Sequence, residues 1–274
     1  MKKFIKVDIK LSTTQEAEIL IAELAENDFY AFEEDKHILS GYIGKTDFDE
    51  KKLATLLPAS ASYKFTIIEE RNWNKDWESQ LQPVSINDFV GIRAAFHAPI
   101  KNVDHEIIIT PKMSFGTGHH ATTYLMIELM QTVDFKNKSV LDFGTGTGVL
   151  AILAEKLGAS SVMAIDYDEW SINNAIENIA ANNSKNIIVE KRNTITGLFC
   201  VDIIVANINF SVLQENAENL FKLSLPRTIL IISGFLENDE ENIVSVFTKN
   251  GFTRKRKLQK KGWLALQFHR ETIF

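Results

Sequence analysis

Between Val140 and Leu150 the chain reads Val-Leu-Asp-Phe-Gly-Thr-Gly-Thr-Gly-Val-Leu, and this stretch limits the fold more than any other. An apolar strand runs into three glycines at alternate positions, Gly144, Gly146 and Gly148, and an apolar, alanine-rich segment follows through Leu157. A strand, a tight turn and a helix are predicted in that order. Glycines in such a turn let backbone N–H groups and the positive end of the helix approach a ligand that a Cβ would hold off. The ligand is then the question.

A dinucleotide fingerprint needs glycine at its first, third and sixth positions. Counted from Gly144, the third position is Gly146 but the sixth is Val149. Asp166 ends the next apolar run, Val162–Ile165. A carboxylate there accepts from the two ribose hydroxyls of a nucleoside, each such bond contributing roughly 1.5–3 kcal/mol. The order Asp-x-Gly-x-Gly-x-Gly from Asp142 resembles motif I of the class I methyltransferases that use S-adenosyl-L-methionine. A dinucleotide site and a ligand-free turn stand as the alternatives.

At 274 residues the chain is long enough for one large or two modest domains. Its formal net charge of −6 argues against broad binding to nucleic acid, where affinity comes from neutralising phosphates. A basic substrate protein is electrostatically tolerable. Cys200 is the only cysteine, which excludes an intrachain disulfide and a cysteine-rich metal site. No apolar run approaches the ~20 residues that span a bilayer. The start, Met1–Asp8, breaks its apolar residues with charge and does not read as a signal peptide. A cytoplasmic, monomeric protein is expected.

The first third alternates in a recognisable order. Phe4–Leu11 reads as a half-buried strand, and Ser12–Thr14 as the cap of a helix over Gln15–Asn27, with Ile19, Leu20 and Leu24 at core spacing. Two short strands over Phe29–Ile43, a helix over Asp49–Leu57 stopped by Pro58, and a strand over Tyr63–Glu69 complete a β-α-β-β-α-β series. That series suggests a ferredoxin-like domain, for substrate recognition or as a structural appendage. In the polar segment that follows, Trp73 and Trp77 share a helical face, either docking a hinge helix or touching substrate.

Strands over Pro83–Ile86, Val90–Arg93 and Ile107–Ile109 lead to a loop, Thr110–Thr123, holding two glycines, His119, His120 and several hydroxyls. Adjacent histidines point apart, and no carboxylate or cysteine accompanies them, so a metal site is not expected. A loop closing over a ligand is expected, with Thr122-Thr123 opening a helix that ends near Val133. Strands at Ser161–Ile165, Ile187–Val189, Val201–Asn209 and Thr228–Ser233 alternate with helices over Glu169–Asn182, Val212–Leu223 and Asp239–Lys249. The first of these helices is expected to bury Ile172, Ala175, Ile176 and Ile179. A hairpin, Phe252–Lys260 with Trp263–Phe268, turns at Lys261-Gly262. This pattern gives a parallel sheet with a final antiparallel edge. The basic run Arg254–Lys257 with Lys260-Lys261 reads as a solvated edge face or a patch for ribosomal RNA.

Ligands of open α/β sheets sit outside the carboxyl ends of the strands, a rule that collects Gly144, Asp166 and Asn207 at one rim. Together with Phe115-Gly116-Thr117-Gly118-His119-His120-x-Thr122-Thr123, the Asp142–Ile152 turn, Val205-Ala206-Asn207-Ile208 and Asn72-Trp73-Asn74-x-x-Trp77, this set resembles the ribosomal protein L11 methyltransferase family (PrmA). The resemblance covers roughly residues 70–270. It implies a Rossmann-like class I methyltransferase sheet, mostly parallel with a C-terminal antiparallel hairpin, behind a small N-terminal ferredoxin-like α+β domain. The implied divisions are 1–69 for substrate recognition, 70–82 as a linker helix and 83–274 for catalysis. It implies S-adenosyl-L-methionine as cofactor, held by Thr123, Gly144, Gly146, Asp166 and Asn207 under a lid of Phe115, Gly116 and Thr117. Asn207 is the expected catalytic residue, and amino groups of ribosomal protein L11, on lysine and at the N-terminus, are the expected acceptors. The family's Asp-Pro-Gly before the loop is here Thr110-Pro111-Lys112. Methylation of another amine, nucleic acid or small molecule is the alternative, as is a non-catalytic, donor-binding role in ribosome assembly.

Overall fold

A computed structural model describes residues 3–11, 14–25, 27–35, 38–58, 61–69, 82–112 and 116–271. The chain divides into two compact units, Met1–Gln80 and Leu81–Phe274. The expected linker helix, with Trp73 and Trp77, lies outside the described residues, as do Ser12, Thr13 and Phe115.

In the first unit the strands β1 (Lys3–Lys10), β2 (Phe29–Asp35), β3 (Ile38–Gly44) and β4 (Ser62–Glu69) form one sheet in the order β2-β3-β1-β4. Every pairing is antiparallel. That is the ferredoxin-like arrangement. Helices α1 (Thr14–Ala25) and α2 (Glu50–Leu56) cover one face, because alternation along β1 turns Ile5, Val7 and Ile9 toward Leu20, Leu24 and Leu53. Asp49 caps α2 by accepting from the backbone N–H groups of Lys51 and Lys52. The opposite face of the sheet carries Lys6, Asp8, Ser40 and Tyr42.

The second unit opens with a small sheet, β5 (Val84–Ile86), β6 (Val90–Ala94) and β7 (His105–Ile109), in which β7 is an edge. The main sheet has seven strands: β8 (Ser139–Phe143), β9 (Ser161–Asp166), β10 (Ile187–Lys191), β11 (Val201–Asn207), β12 (Ser224–Leu236), β13 (Phe252–Lys260) and β14 (Trp263–Arg270). Their order is β10-β9-β8-β11-β12-β14-β13, with β10 through β12 parallel to one another. On one face lie α3 (Ala121–Met130), α4 (Val149–Lys156) and α5 (Glu169–Ala181), and on the other α6 (Phe210–Lys222) and α7 (Glu240–Lys249). Two apolar clusters, one per face, make the unit a doubly wound α/β domain.

The terminal hairpin closes one end of the sheet with antiparallel pairing, as expected, turning through Lys261 and Gly262, which both have positive φ as a two-residue I′ turn requires. Its strand order is not sequential. β14 inserts between β12 and β13, and β13 becomes the border. Side chains explain the order. Leu264–Phe268 are buried on both faces, whereas Thr253–Lys257 are exposed, and a charged strand is the one that can face solvent without inviting edge pairing. One expectation needs correction: in α5, Ile176 is 50% exposed while Asn174 and Asn178 are fully buried. The helix turns a polar stripe inward, toward the free edge of β7, and so rotates Ile176 out.

Candidate active site

The carboxyl ends of β8, β9 and β11 converge because the strands are parallel and in register, Phe143 beside Ile165 and Ala206 beside Phe143. Gly144, Asp166 and Asn207 therefore share one rim. The glycine turn is built as its sequence demands. Gly144, Gly146 and Gly148 all adopt positive φ, and the N–H groups of Gly144 and Thr145 both donate to the Ile165 carbonyl at 2.9 Å. Gly148 is the N-cap of α4, with no side chain between the helix end and the rim.

Asp166 braces this turn. Its Oδ2 accepts the N–H of Gly146 at 3.0 Å and its Oδ1 that of Asp168 at 3.1 Å. Each oxygen keeps a further lone pair for another donor. Asp142, at the end of β8, is buried; its Oδ2 accepts from Thr145 Oγ1 at 2.7 Å and from the N–H of Ala151 at 3.1 Å. Burial pushes its carboxyl up to about 7, against those two hydrogen bonds, and the nearby Asp166 carboxylate adds to the rise.

The loop before α3 folds over the turn. Thr147 Oγ1 donates to the Gly116 carbonyl at 2.8 Å, and a Cβ on Gly116 would meet that same oxygen at 2.6 Å. Thr117 Oγ1 lies 3.2 Å from His119 Nδ1, and His119 Nε2 lies 3.0 Å from the Gln82 carbonyl. His120 caps α3, its Nδ1 accepting the N–H of Thr122. Thr123 follows in the first turn, 1% exposed. Between Gly118–Ala121, Tyr124 and the hairpin residues Lys260–Trp263 lies a cavity of about 410 Å³.

At the end of β11, Asn207 pairs in register with Ser233, and Asn209 caps α6 through its Oδ1. Sequence reasoning passed over Gly234. Its φ is +101°, and a Cβ there would overlap the backbone carbonyl of Ile208. This glycine lets the Asn207-Ile208 segment cross β12, and an isolated glycine in a strand pattern was the available signal. Sequence reasoning also missed Asn174, Asn178 and Asn182, whose spacing of four residues was the available signal.

Among the described residues, five buried side-chain oxygens have no hydrogen-bond partner: Thr123 Oγ1, Asp142 Oδ1, Asn174 Oδ1, Asn207 Oδ1 and Gln267 Oε1. A folded protein seldom leaves such groups unsatisfied, since each costs about 1–3 kcal/mol. Two of them, on Asp142 and Asn207, stand at the ends of β8 and β11, and a third, on Thr123, lies in the first turn of α3, next after the covering loop. Acceptors without donors, a glycine turn that presents no Cβ and a covering loop fit a polar ligand.

A doubly wound sheet with an alternating-glycine turn after its first strand, an acidic residue ending the next, and an antiparallel strand inserted beside the last parallel one defines a class I methyltransferase. A methyltransferase from Pyrococcus furiosus has the same fold, with a TM-score of 0.53 at 20% identity over 61% of this chain and 90% of its own. A ribosomal protein L11 methylase from Lactobacillus delbrueckii subsp. bulgaricus superposes with a TM-score of 0.65 and 28% identity, over 70% of this chain and all of its own. The family model for ribosomal protein L11 methyltransferase (PrmA) matches residues 5–271. Ribosomal protein L11 methyltransferases from Porphyromonas gingivalis and Bacteroides fragilis are 38% and 35% identical over 260 residues, 92% of this chain and 90% and 93% of theirs. The chain belongs to the PrmA family and is a methyltransferase.

Proposed function

We propose that this enzyme transfers methyl groups from S-adenosyl-L-methionine to amino groups of ribosomal protein L11, on lysine and at the N-terminus, and carries the reaction to trimethylation. The names of its relatives support the substrate. The single observation that carries the site is the group of unpartnered buried oxygens on Thr123, Asp142 and Asn207 around a glycine turn. The residues present fit the donor. Thr123, Gly144, Gly146, Asp166 and Asn207 would hold it, Asp166 taking the ribose hydroxyls with the lone pairs its backbone partners leave free. Gly116 and Thr117, with Phe115, would cover it.

Bound there, S-adenosyl-L-methionine supplies an electrophilic methyl group on a positive sulfur. The chain aligns the reactants, an effect worth on the order of 7–11 kcal/mol for well-oriented pairs. The acceptor amine must be neutral. An α-amine, with a pKa of about 7.7–8, often is, whereas lysine at about 10.4 must first lose its proton. Asn207 accepts the amine's hydrogens through Oδ1 and its backbone carbonyl, aiming the lone pair at the methyl group. Water takes the proton, since among the described residues no side chain at the rim is placed as a general base.

The division of labour follows the two units. Residues 1–69 recognise the substrate protein, 70–82 link, and 83–274 hold the donor. Among the described residues no helix is long and apolar enough to cross a membrane. We read the enzyme as a cytoplasmic monomer whose contact with nucleic acid is incidental. Incubation with labelled donor and purified L11, read by mass spectrometry, is the direct test: methyl groups on L11 amines are expected, and an unlabelled L11 with intact donor binding removes the reading. Asn207→Ala is expected to lower kcat far more than donor affinity. Equal losses in both remove its acceptor role.

A further inference from the structure

Helix α5 and its C-cap place Asn174, Asn178 and Asn182 one turn apart, so their amides rise along one face. That face meets the free edge of β7 and the chain just beyond it. Asn182 brackets Ile108, its Oδ1 accepting the backbone N–H at 3.0 Å and its Nδ2 donating to the carbonyl at 2.6 Å. One turn back, Thr110 donates its N–H to Asn178 Oδ1 at 2.7 Å and accepts from Asn174 Nδ2 at 3.1 Å. Side chains here replace a neighbouring strand.

Asn178 differs from the other two. Its Nδ2 donates to the carbonyl of Thr147, inside the glycine turn, at 2.8 Å. Thr147 Oγ1 in turn donates to the Gly116 carbonyl in the covering loop. Asn178 and Thr147 are both 0% exposed. The root of the loop at Thr110, its far side at Gly116 and the turn at Thr147 are thus joined through one amide and one hydroxyl. Asp166 holds the turn from the other side by the Gly146 N–H.

We propose that Asn178 and Thr147 are positioning residues for the methyl donor: together they tie the covering loop to the glycine turn, so that the turn and the loop face the donor as one preorganised surface. Neither touches the donor. Without Asn178 the Thr147 carbonyl is left buried and unpaired, and the turn relaxes away from its binding geometry. Without the Thr147 hydroxyl the loop loses its tie to the turn at Gly116 while α5 is untouched. The inference rests on the reading of the rim as the donor site.

The test measures donor affinity by calorimetry with S-adenosyl-L-methionine and Tm by thermal denaturation, on the full chain and on Asn178→Ala, Thr147→Val, both together, and Asn182→Ala. Asn178→Ala and Thr147→Val are expected to weaken the donor about three- to tenfold, the range for one lost hydrogen bond. The double variant is expected to fall short of the product of the two, because both act on one turn. Asn182→Ala removes two bonds to the same edge but none to the turn. It is expected to lower Tm and leave donor affinity unchanged. Equal effects of Asn178→Ala and Asn182→Ala on donor affinity overturn the proposal, as does an unaltered affinity in Thr147→Val, a near-isosteric change that keeps the test alive if Asn178→Ala does not fold. Absence of binding by the unmutated protein removes the donor site itself, and this inference with it.

Discussion

Asp142 is a carboxylate held where a charge is expensive, and its raised pKa of about 7 has two signed consequences. Its ordinary value is 3.8, so between about pH 4 and pH 7 the folded chain holds a proton that the unfolded chain has released. Stability from this group is full below that window and falls as pH rises through it, by a few kcal/mol at most. Asp142→Asn keeps the shape and is expected to flatten the trend, seen as a smaller difference between denaturant midpoints at pH 5 and pH 8. A cationic donor at the rim has the opposite preference, for ionised Asp142. Donor affinity is therefore expected to rise with pH up to about 7 and then level off, with proton release on binding. Calorimetric heats in phosphate and Tris at pH 6.5 would differ for the native chain and agree for Asp142→Asn. Gly234 tests geometry rather than charge. Gly234→Ala forces a Cβ onto the Ile208 carbonyl and is expected to cost more than ~2 kcal/mol and displace Asn207. Gly197→Ala, at similar φ but with nothing within 4 Å, is expected to cost about 1 kcal/mol. Matching losses would show that backbone conformation alone governs both.

The elements came through in the sequence wherever one face was apolar and the other polar. β1 alternates, α6 shows a 3.6-residue stripe that buries Leu213, Ala217 and Leu220, and the β8 turn is written in its glycines. α5 came through in its bounds but not in its full inward face, because its buried stripe mixes Ile172 and Ile179 with Asn174 and Asn178. Apolar spacing alone cannot show that an amide will find a strand edge 64 to 74 residues away in sequence. The consequence is measurable. Ile172→Ala is expected to cost about 2–4 kcal/mol, as a buried large-to-small change does, whereas Ile176→Gln should stay within about 0.5 kcal/mol. If Ile176→Gln proved as costly as Ile172→Ala in urea unfolding, the orientation of α5 described above would be wrong. The insertion of β14 was equally unreadable, since pairing order is a long-range property and the hairpin alone fits either way round. The convergence of Gly144, Asp166 and Asn207 at one rim was legible because the carboxyl-end rule needs only strand boundaries. Asn178 and Gly234 serve contacts from distant segments, which a linear reading does not contain.

At the scale of the whole molecule, the two units separate two kinds of binding energy. Every residue assigned to the donor lies between Thr110 and Ile208, within Leu81–Phe274, while the ferredoxin-like unit packs its two helices on one face of its sheet and leaves the other free of them. On that face Tyr42 donates to Glu33 at 2.8 Å, and Lys6 lies 5.8 Å from the Tyr42 ring centroid. Ser40 donates to Asp8 at 2.7 Å. These side chains are already fixed, so a partner can dock on them with little loss of conformational freedom. If this unit recognises L11, a lesion here removes binding that is the same in ground and transition states. That raises KM and leaves kcat alone. Tyr42→Ala combined with Tyr30→Ala, the latter 59% exposed, is expected to raise KM for L11 about tenfold with kcat and donor affinity unchanged, one lost interaction of ~1.4 kcal/mol accounting for the shift. Steady-state kinetics at saturating donor would decide. A fall in kcat at unchanged KM would place that face in the chemistry instead, and no effect on either would move recognition to another surface of the chain.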